Sequence, residues 1–301
     1  LGELLQHTVN GLALGSIYAL VALGYTMVFG VLSLINFAHG EIFMMGAFAG
    51  LYTHRYVMSH FAAPQWILSL LVLVGAMLGS AIVGLIIEKF AYRPLRKSPR
   101  INILITAIGA SLFLQYGGQL VFGASPQFFP DIFTKTTFNL GGGATIDSNQ
   151  ILIFIVAIVL MAMLQFLVFK TQFGRAMRAI SHSLETSSVI GINVNKIIMI
   201  TFIIGSSLAG AAGVLYGVAY PKIDPIMGLM PGLKAFVAAV LGGIGNITGA
   251  VIGALILGLS ETYVAGYLSS TYRDALAFII LILVLLLRPS GILGTKKIEK
   301  V

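Results

Sequence analysis

The sequence predicts an all-α polytopic membrane protein with about eight membrane-spanning helices (range seven to ten), on three observations. Of 301 residues, 58% are apolar and only 9% are charged. A soluble domain carries roughly a quarter charged residues, so this chain has too little charge to cover itself in water. Six stretches without charge are each long enough to cross a hydrocarbon core of about 30 Å, which takes roughly 20 residues of helix because every backbone amide must be satisfied inside the segment. Third, the basic residues are gathered into short intervals between these stretches.

The six stretches are 8–35, 66–87, 101–123, 150–169, 197–221 and 235–260. Two shorter ones, 42–54 and 275–287, reach the necessary length by taking in flanking residues such as 36–41, or Arg273 and Asp274. The N-terminal stretch lacks a compact apolar run followed by a small-residue cleavage site, and is read as a retained first helix and not a signal peptide. As a straight helix, 8–35 would measure about 42 Å. It runs into Asn36-Phe37-Ala38-His39-Gly40-Glu41, an amide, an imidazole and a carboxylate between two apolar segments. A broken or sharply turned helix fits this pattern, and ionisable groups so placed are functional candidates. In the alternative reading, His39 and Glu41 cap a helix at the cytoplasmic interface.

Thirteen of the 18 Lys and Arg fall in 89–100, 170–196 and 288–300. The positive-inside rule puts all three in the cytoplasm. The expected organisation is thus one transmembrane domain over 1–301, with cytoplasmic loops 89–100 and 170–196, a cytoplasmic tail 288–301 and a long loop 124–149 on the other side. The net charge of +8 then reports topology and anionic headgroups, not nucleic acid. Parity adds a constraint. If 197–221 leaves the cytoplasm and the tail returns to it, an odd number of crossings must lie between, yet 235–260 and the last helix make two. A re-entrant half-helix and a return helix, broken at Gly242-Gly243-Ile244-Gly245-Asn246, remove the conflict.

Small residues recur every fourth position at Gly11, Gly15, Ala19, at Gly205, Ala209, Gly213, Gly217 and at Gly245, Gly249, Gly253, which predicts closely packed helices. Broken segments in both halves, near 36–41 and 242–246, resemble the internal-repeat design of transporters. Other chemistry is missing. There is no Cys, the five His are scattered, and the nearest approach to a nucleotide-binding loop, 228–234, has the wrong spacing. Glu41, Asp224, Glu261 and Asp274 are the only carboxylates placed to bind a coupling ion, and no set of residues is organised for a membrane hydrolase.

The central basic loop reads TQFGRAMRAISHSLETSSVIGINVNK over 171–196. Arg175 and Arg178 share a helix face. The stretch 183–190 is a short, small-sided helix candidate closed by Gly191. It suits insertion into a partner's groove, or else it is an ordinary solvated loop.

Taken together, INFAHGEIFMMGAF (35–48), EKFAYRPLR (88–96), ITAIGASLFLQ (105–115), FGRAMRAI (173–180), LETSSVIGIN (184–193), GLKAFVAAVLGGIGNITGAVIGALILG (232–258) and LRPSGILG (287–294) resemble the permease subunits of ATP-binding-cassette importers, specifically the LivH-type permeases of branched-chain amino acid uptake. The resemblance spans nearly the whole chain. It implies a cytoplasmic coupling helix in which Glu185, Ser188 and Gly191 stand at the ATPase contact, with Arg175 and Arg178 beside it. Thr186 and Ser187 replace two Ala of the family pattern. The resemblance also implies a homologous second permease forming a heterodimer, two ATPase subunits that carry ATP and Mg, and a periplasmic substrate-binding protein. The loop 124–149, at 26 residues long for a plain connection, is expected to form part of the platform for that protein. No cofactor, metal or nucleic acid is expected on this chain itself. The expected location is the bacterial inner membrane. Asn36, His39 and Glu41, with Gly242, Gly243, Gly245 and Asn246, are the candidates for the substrate pathway or gate. Competing readings are a permease of the same family for urea or short amides, or a stand-alone ion-coupled transporter.

Overall fold

The computed structural model describes residues 2–61, 64–96, 98–132 and 135–294. Residues 295–301 of the expected tail, Lys97 of the first basic loop and residues 133–134 of the long loop therefore lie outside the described residues. Every apolar stretch read from the sequence is helical. In chain order the helices are α1 (Gly2–Leu32), α2 (His39–His60), α3 (Gln65–Ile87), α4 (Arg100–Phe122), α5 (Ser148–Lys170), α6 (Gln172–His182), α7 (Leu184–Val189), α8 (Val194–Ala219), α9 (Leu229–Gly242), α10 (Ile247–Tyr267) and α11 (Arg273–Leu287). α3 continues through a π turn, Glu88–Tyr92, and a 3-10 turn, Arg93–Leu95. Among the described residues, seven helices are long and apolar enough to cross a membrane. α2, more polar at both ends, runs beside them.

The helix boundaries follow local chemistry. Asp147 and Gln150 close a capping box at the start of α5, Thr171 accepts from the Gly174 N–H to start α6, and Asn193 accepts from the Lys196 N–H to start α8. Short antiparallel strands occupy the loop between α4 and α5. β2 (Thr137–Gly141) pairs with β3 (Ala144–Asp147), while β1 (Gln127–Phe128) reaches across to β4 (Lys222–Ile223), after α8.

α1 lies at the centre, buried on all sides from Ala13 to Val28. The small-residue stripes sit where helices cross. Gly11 and Gly15 face Leu255, Gly258 and Leu259 of α10, Gly205 faces Gly24, and Gly213 meets the α2 backbone at Phe43 and Ala47. Lipid gives helices little hydrophobic reason to associate, so close backbone approach and dispersion supply the attraction.

The halves repeat. α8, α9, α10 and α11 reproduce the packing of α1, α2, α3 and α4: α1 packs on α10 as α8 packs on α3, α9 packs on α1 as α2 packs on α8, and α9 meets α11 as α2 meets α4. In each half the second helix follows a non-helical segment, 33–38 before α2 and 220–228 before α9. The segment corresponding to 33–38 is therefore 220–228, and not 242–246 as the sequence pattern suggests. The 242–246 break is present as read, separating the 14-residue α9 from α10. At about 21 Å, α9 is a half-crossing. Three helices, α9, α10 and α11, thus follow α8 where the apolar stretches read from the sequence give two.

The α9–α10 turn closes against residues 290–294. Gly243 and Gly245 have φ of 108° and 94°, which glycine tolerates. Asn246 caps α10 by accepting from the Gly249 N–H at 3.0 Å and donates to the Leu293 carbonyl at 2.9 Å. Ile292 and Leu293 donate their N–H groups to the Leu241 and Gly242 carbonyls, which would otherwise be orphans at the end of α9.

At its other end α9 is held by charge. Lys234, 6% exposed, pairs with Glu261 of α10, which is wholly buried, and with Asp274 of α11 at 2.6 Å. Arg273 pairs with Glu261 at 2.9 Å. Two cations and two anions thus cancel in a low-dielectric setting. Removing one buried partner leaves an uncompensated charge costing about 3–5 kcal/mol. Lys234→Met should therefore lower the thermal unfolding midpoint in detergent far more than Asp274→Asn, whose half-exposed carboxylate is worth about 1 kcal/mol or less. Equal midpoints for the two variants would contradict this account of the cluster.

Candidate functional site

The two non-helical segments bring the starts of α2 and α9 together. Gly40 lies against Gly228 and Gly232 so closely that a Cβ at any of the three would strike backbone of the opposing segment. His39, the first residue of α2, is buried with its ring edge-on to Tyr25 at 4.7 Å between centroids, and fits only because Gly24 has no side chain. Neither ring nitrogen has a hydrogen-bond partner among the described residues.

Glu41, in the first turn of α2, is 1% exposed. Its Oε1 is 3.4 Å from the Ser111 hydroxyl of α4, a long hydrogen bond. Its Oε2 packs beside Gly228 and has no hydrogen-bond partner among the described residues. It borders a cleft of about 170 Å³ between α1, α2, α4 and α9, otherwise lined mainly by Tyr25, Phe37, Ile108, Leu112, Gln115, Leu229 and Leu233. A buried carboxylate with a free oxygen on such a cleft is costly unless function retains it. A larger cavity, about 290 Å³, opens among Asn10, Asp147, Asn149, Gln150, Tyr220 and Arg273. Most of its polar groups are engaged with one another or with neighbours: Gln150 donates to Asn10 at 2.8 Å, Asp147 caps α5 and Arg273 holds Glu261.

Asn36 sits below the junction. It accepts from the Tyr92 hydroxyl at 2.9 Å, tying the 33–38 segment to the π turn that ends α3. π turns recur where helices serve function. Just beyond, Arg96 pairs with Glu88 and donates to Asn195, the second residue of α8, at 2.7 Å. Burial draws the Arg96 guanidinium below its ordinary pKa, and the Glu88 carboxylate opposes that shift.

The expected short helix is α7, capped by Ser183 through the Thr186 N–H and ended by Gly191 at φ 88°. Ser187 is buried beneath it, whereas Glu185 and Ser188 are exposed and Val189 and Ile190 stand out with 87% and 67% of their surfaces free. Arg175 is exposed on α6. Arg178 folds back to the Val168 carbonyl and over the Phe169 ring, so the two arginines differ in what they offer a partner.

The pathway candidates therefore separate. His39 and Glu41 meet at the junction with Asn36 beneath them, while Gly242, Gly243, Gly245 and Asn246 pack against residues 290–294. The sequence reading missed Gly228 and Gly232, the counterpart of Gly40. Pro221, Pro225 and Pro231 around Asp224 and Gly228 were the available signal, since three prolines in eleven residues interrupt a helix. Lys234 was missed because an isolated Lys in an apolar run reads as a helix end.

The family described as "Branched-chain amino acid transport system / permease component" matches residues 7–285. The chain is 44% identical over 300 residues to the high-affinity branched-chain amino acid transport system permease protein LivH of Escherichia coli K12, covering 99% of this chain and 97% of that protein. It is 43% identical to LivH of Salmonella typhimurium over the same shares. The permease protein BraD of Pseudomonas aeruginosa is 43% identical over 305 residues, covering 99% of this chain and 98% of that protein.

If close backbone contact builds the junction, Gly228→Ala should reduce the yield of monodisperse protein and lower its unfolding midpoint in detergent. Gly117→Ala, on α4 with nothing within 4 Å, should leave both unchanged. A tolerated Gly228→Ala would mean that the contact is loose.

Proposed function

The chain belongs to the family of permease components of branched-chain amino acid transport systems, and from that premise we propose that it is the membrane-spanning subunit of an ATP-driven importer for Leu, Ile, Val and similar amino acids. The observation that carries the substrate class is the match to relatives of that description over 99% of the chain. In this reading the chain sits in the bacterial inner membrane with its basic loops and C-terminus in the cytoplasm. It pairs with a homologous second permease, and two ATPase subunits bind ATP and Mg. A periplasmic protein delivers the amino acid at the end of the bundle formed by 124–149, where β1 and β4 join the two halves. Transport is by alternating access.

The exposed Val189 and Ile190 of α7, with Glu185, Ser188 and Gly191 around them and Arg175 alongside, are the contact to the ATPase. A series of contacts leads inward from there. α7 precedes α8 by four residues; Asn195 of α8 holds Arg96, Arg96 holds Glu88 at the start of the π turn, and Tyr92 at its end holds Asn36. Motion of α7 is thereby passed to the segment that positions His39 and Glu41. Asn36, His39 and Glu41 form the pathway or its gate. Gly242, Gly243, Gly245 and Asn246 form a hinge at the cytoplasmic mouth.

The test is ATPase activity of the reconstituted complex in nanodiscs, with and without liganded binding protein. Reversing the charge with Glu185→Arg should abolish the stimulation while the subunits still co-purify. Unchanged stimulation would move the joint away from α7, and failure of any ATPase to assemble with the unmodified chain would reject the importer reading.

A further inference from the structure

Among the described residues, Glu41 is the only acidic or basic side chain lining the cleft at the α2–α9 junction. Lys234, next in sequence to the cleft residue Leu233, is turned to Glu261 and Asp274 and does not pair with Glu41. The site thus offers a buried carboxylate, one of whose oxygens packs beside Gly228 without a hydrogen-bond partner among the described residues, on a residue that lines the cleft. A solute crossing at this depth leaves water, and each charge it bears needs a partner. Apart from Ser111 and Gln115, the larger side chains of the lining, among them Phe37, Ile108, Leu112, Leu229 and Leu233, are aliphatic or aromatic and match a branched hydrocarbon side chain. The first turns of α2 and α9 also meet here, and helix starts present backbone N–H groups and positive dipole ends that suit a carboxylate.

We propose that Glu41 receives the α-ammonium group of the amino acid as it passes the junction, the aliphatic side chain lying against α4 and the start of α9. This rests on the importer reading and adds that the permease itself selects for a cationic amine. A neutral amide solute gains a hydrogen bond but no ion pair from a carboxylate in this position, and an anion is repelled by it.

The chain contains no Cys, so single cysteines report cleanly. In the assembled complex, with cysteine-free partners, Leu112→Cys and in parallel Gln115→Cys would be treated with 2-aminoethyl methanethiosulfonate and with its 2-sulfonatoethyl counterpart. The cationic reagent should react faster, and adding Glu41→Gln should reduce the ratio of the two rates by about tenfold, as expected for loss of one charge a few ångströms away. Leucine presented on the binding protein should slow the labelling, and leucine uptake should fall more in Glu41→Gln than in Glu41→Asp. A rate ratio indifferent to Glu41→Gln overturns the proposal, as does protection by sodium chloride alone, which would make the site one for an inorganic cation. Lack of reaction at both cysteines also overturns it. If the binding protein fails to stimulate ATP turnover by the unmodified complex, it is the importer reading that has failed, a result distinct from each of these.

Discussion

The fold depends on enclosing interrupted backbone at membrane depth. Peptide groups freed where a helix stops have no water to bind in the hydrocarbon core, so a break survives there only inside protein or facing a wet path. This chain has such interruptions before α2 and before α9, and it closes them on each other, Gly40 against Gly228 and Gly232. The two halves pair in the same way on either side of this junction. α1 and α8 stand between them with small residues at the crossings.

Charge is handled in two contrasting ways. Lys234, Glu261, Arg273 and Asp274 form a closed account in which each ion faces its opposite, and the cluster fixes α9 to α10 and α11. Glu41 has only a distant hydroxyl and no ion-pair partner among the described residues, whereas Glu261, which also has one oxygen without a partner, faces two cations. The compensated set is a structural clamp. The uncompensated carboxylate is the group we propose for the solute's amine, and the Asn195–Arg96–Glu88 and Tyr92–Asn36 contacts run from the start of α8 to the segment before α2.

The sequence carried the fold unevenly. Apolar length located every membrane helix, since a hydrocarbon core imposes a length that no other signal imitates. Parity and three glycines located the α9–α10 break. The segment before α9 went unread because Asp224, Pro225 and Gly228 look like an ordinary loop, and only its three-dimensional counterpart at Gly40 reveals its role. Glu41 and His39 stood out as ionisable groups between apolar segments, but their environments are made by Ser111, Gly24 and Gly228, residues 15 to nearly 190 positions away in sequence that carry no chemical signature of their own. The short helix at α7 was legible because Ser183 and Gly191 are local caps. Its exposed Val189 and Ile190 gain meaning only from the burial of Ser187 beneath them.

The central claim is that the α2–α9 junction is the moving part of the pathway. Pulsed electron paramagnetic resonance between spin labels at Tyr56 of α2 and Met230 of α9, both exposed, measures it in the assembled complex. The account predicts that the distance distribution shifts between the nucleotide-free and ATP-bound states and returns after hydrolysis. An identical distribution in all states would make the junction a rigid scaffold and place the gate elsewhere.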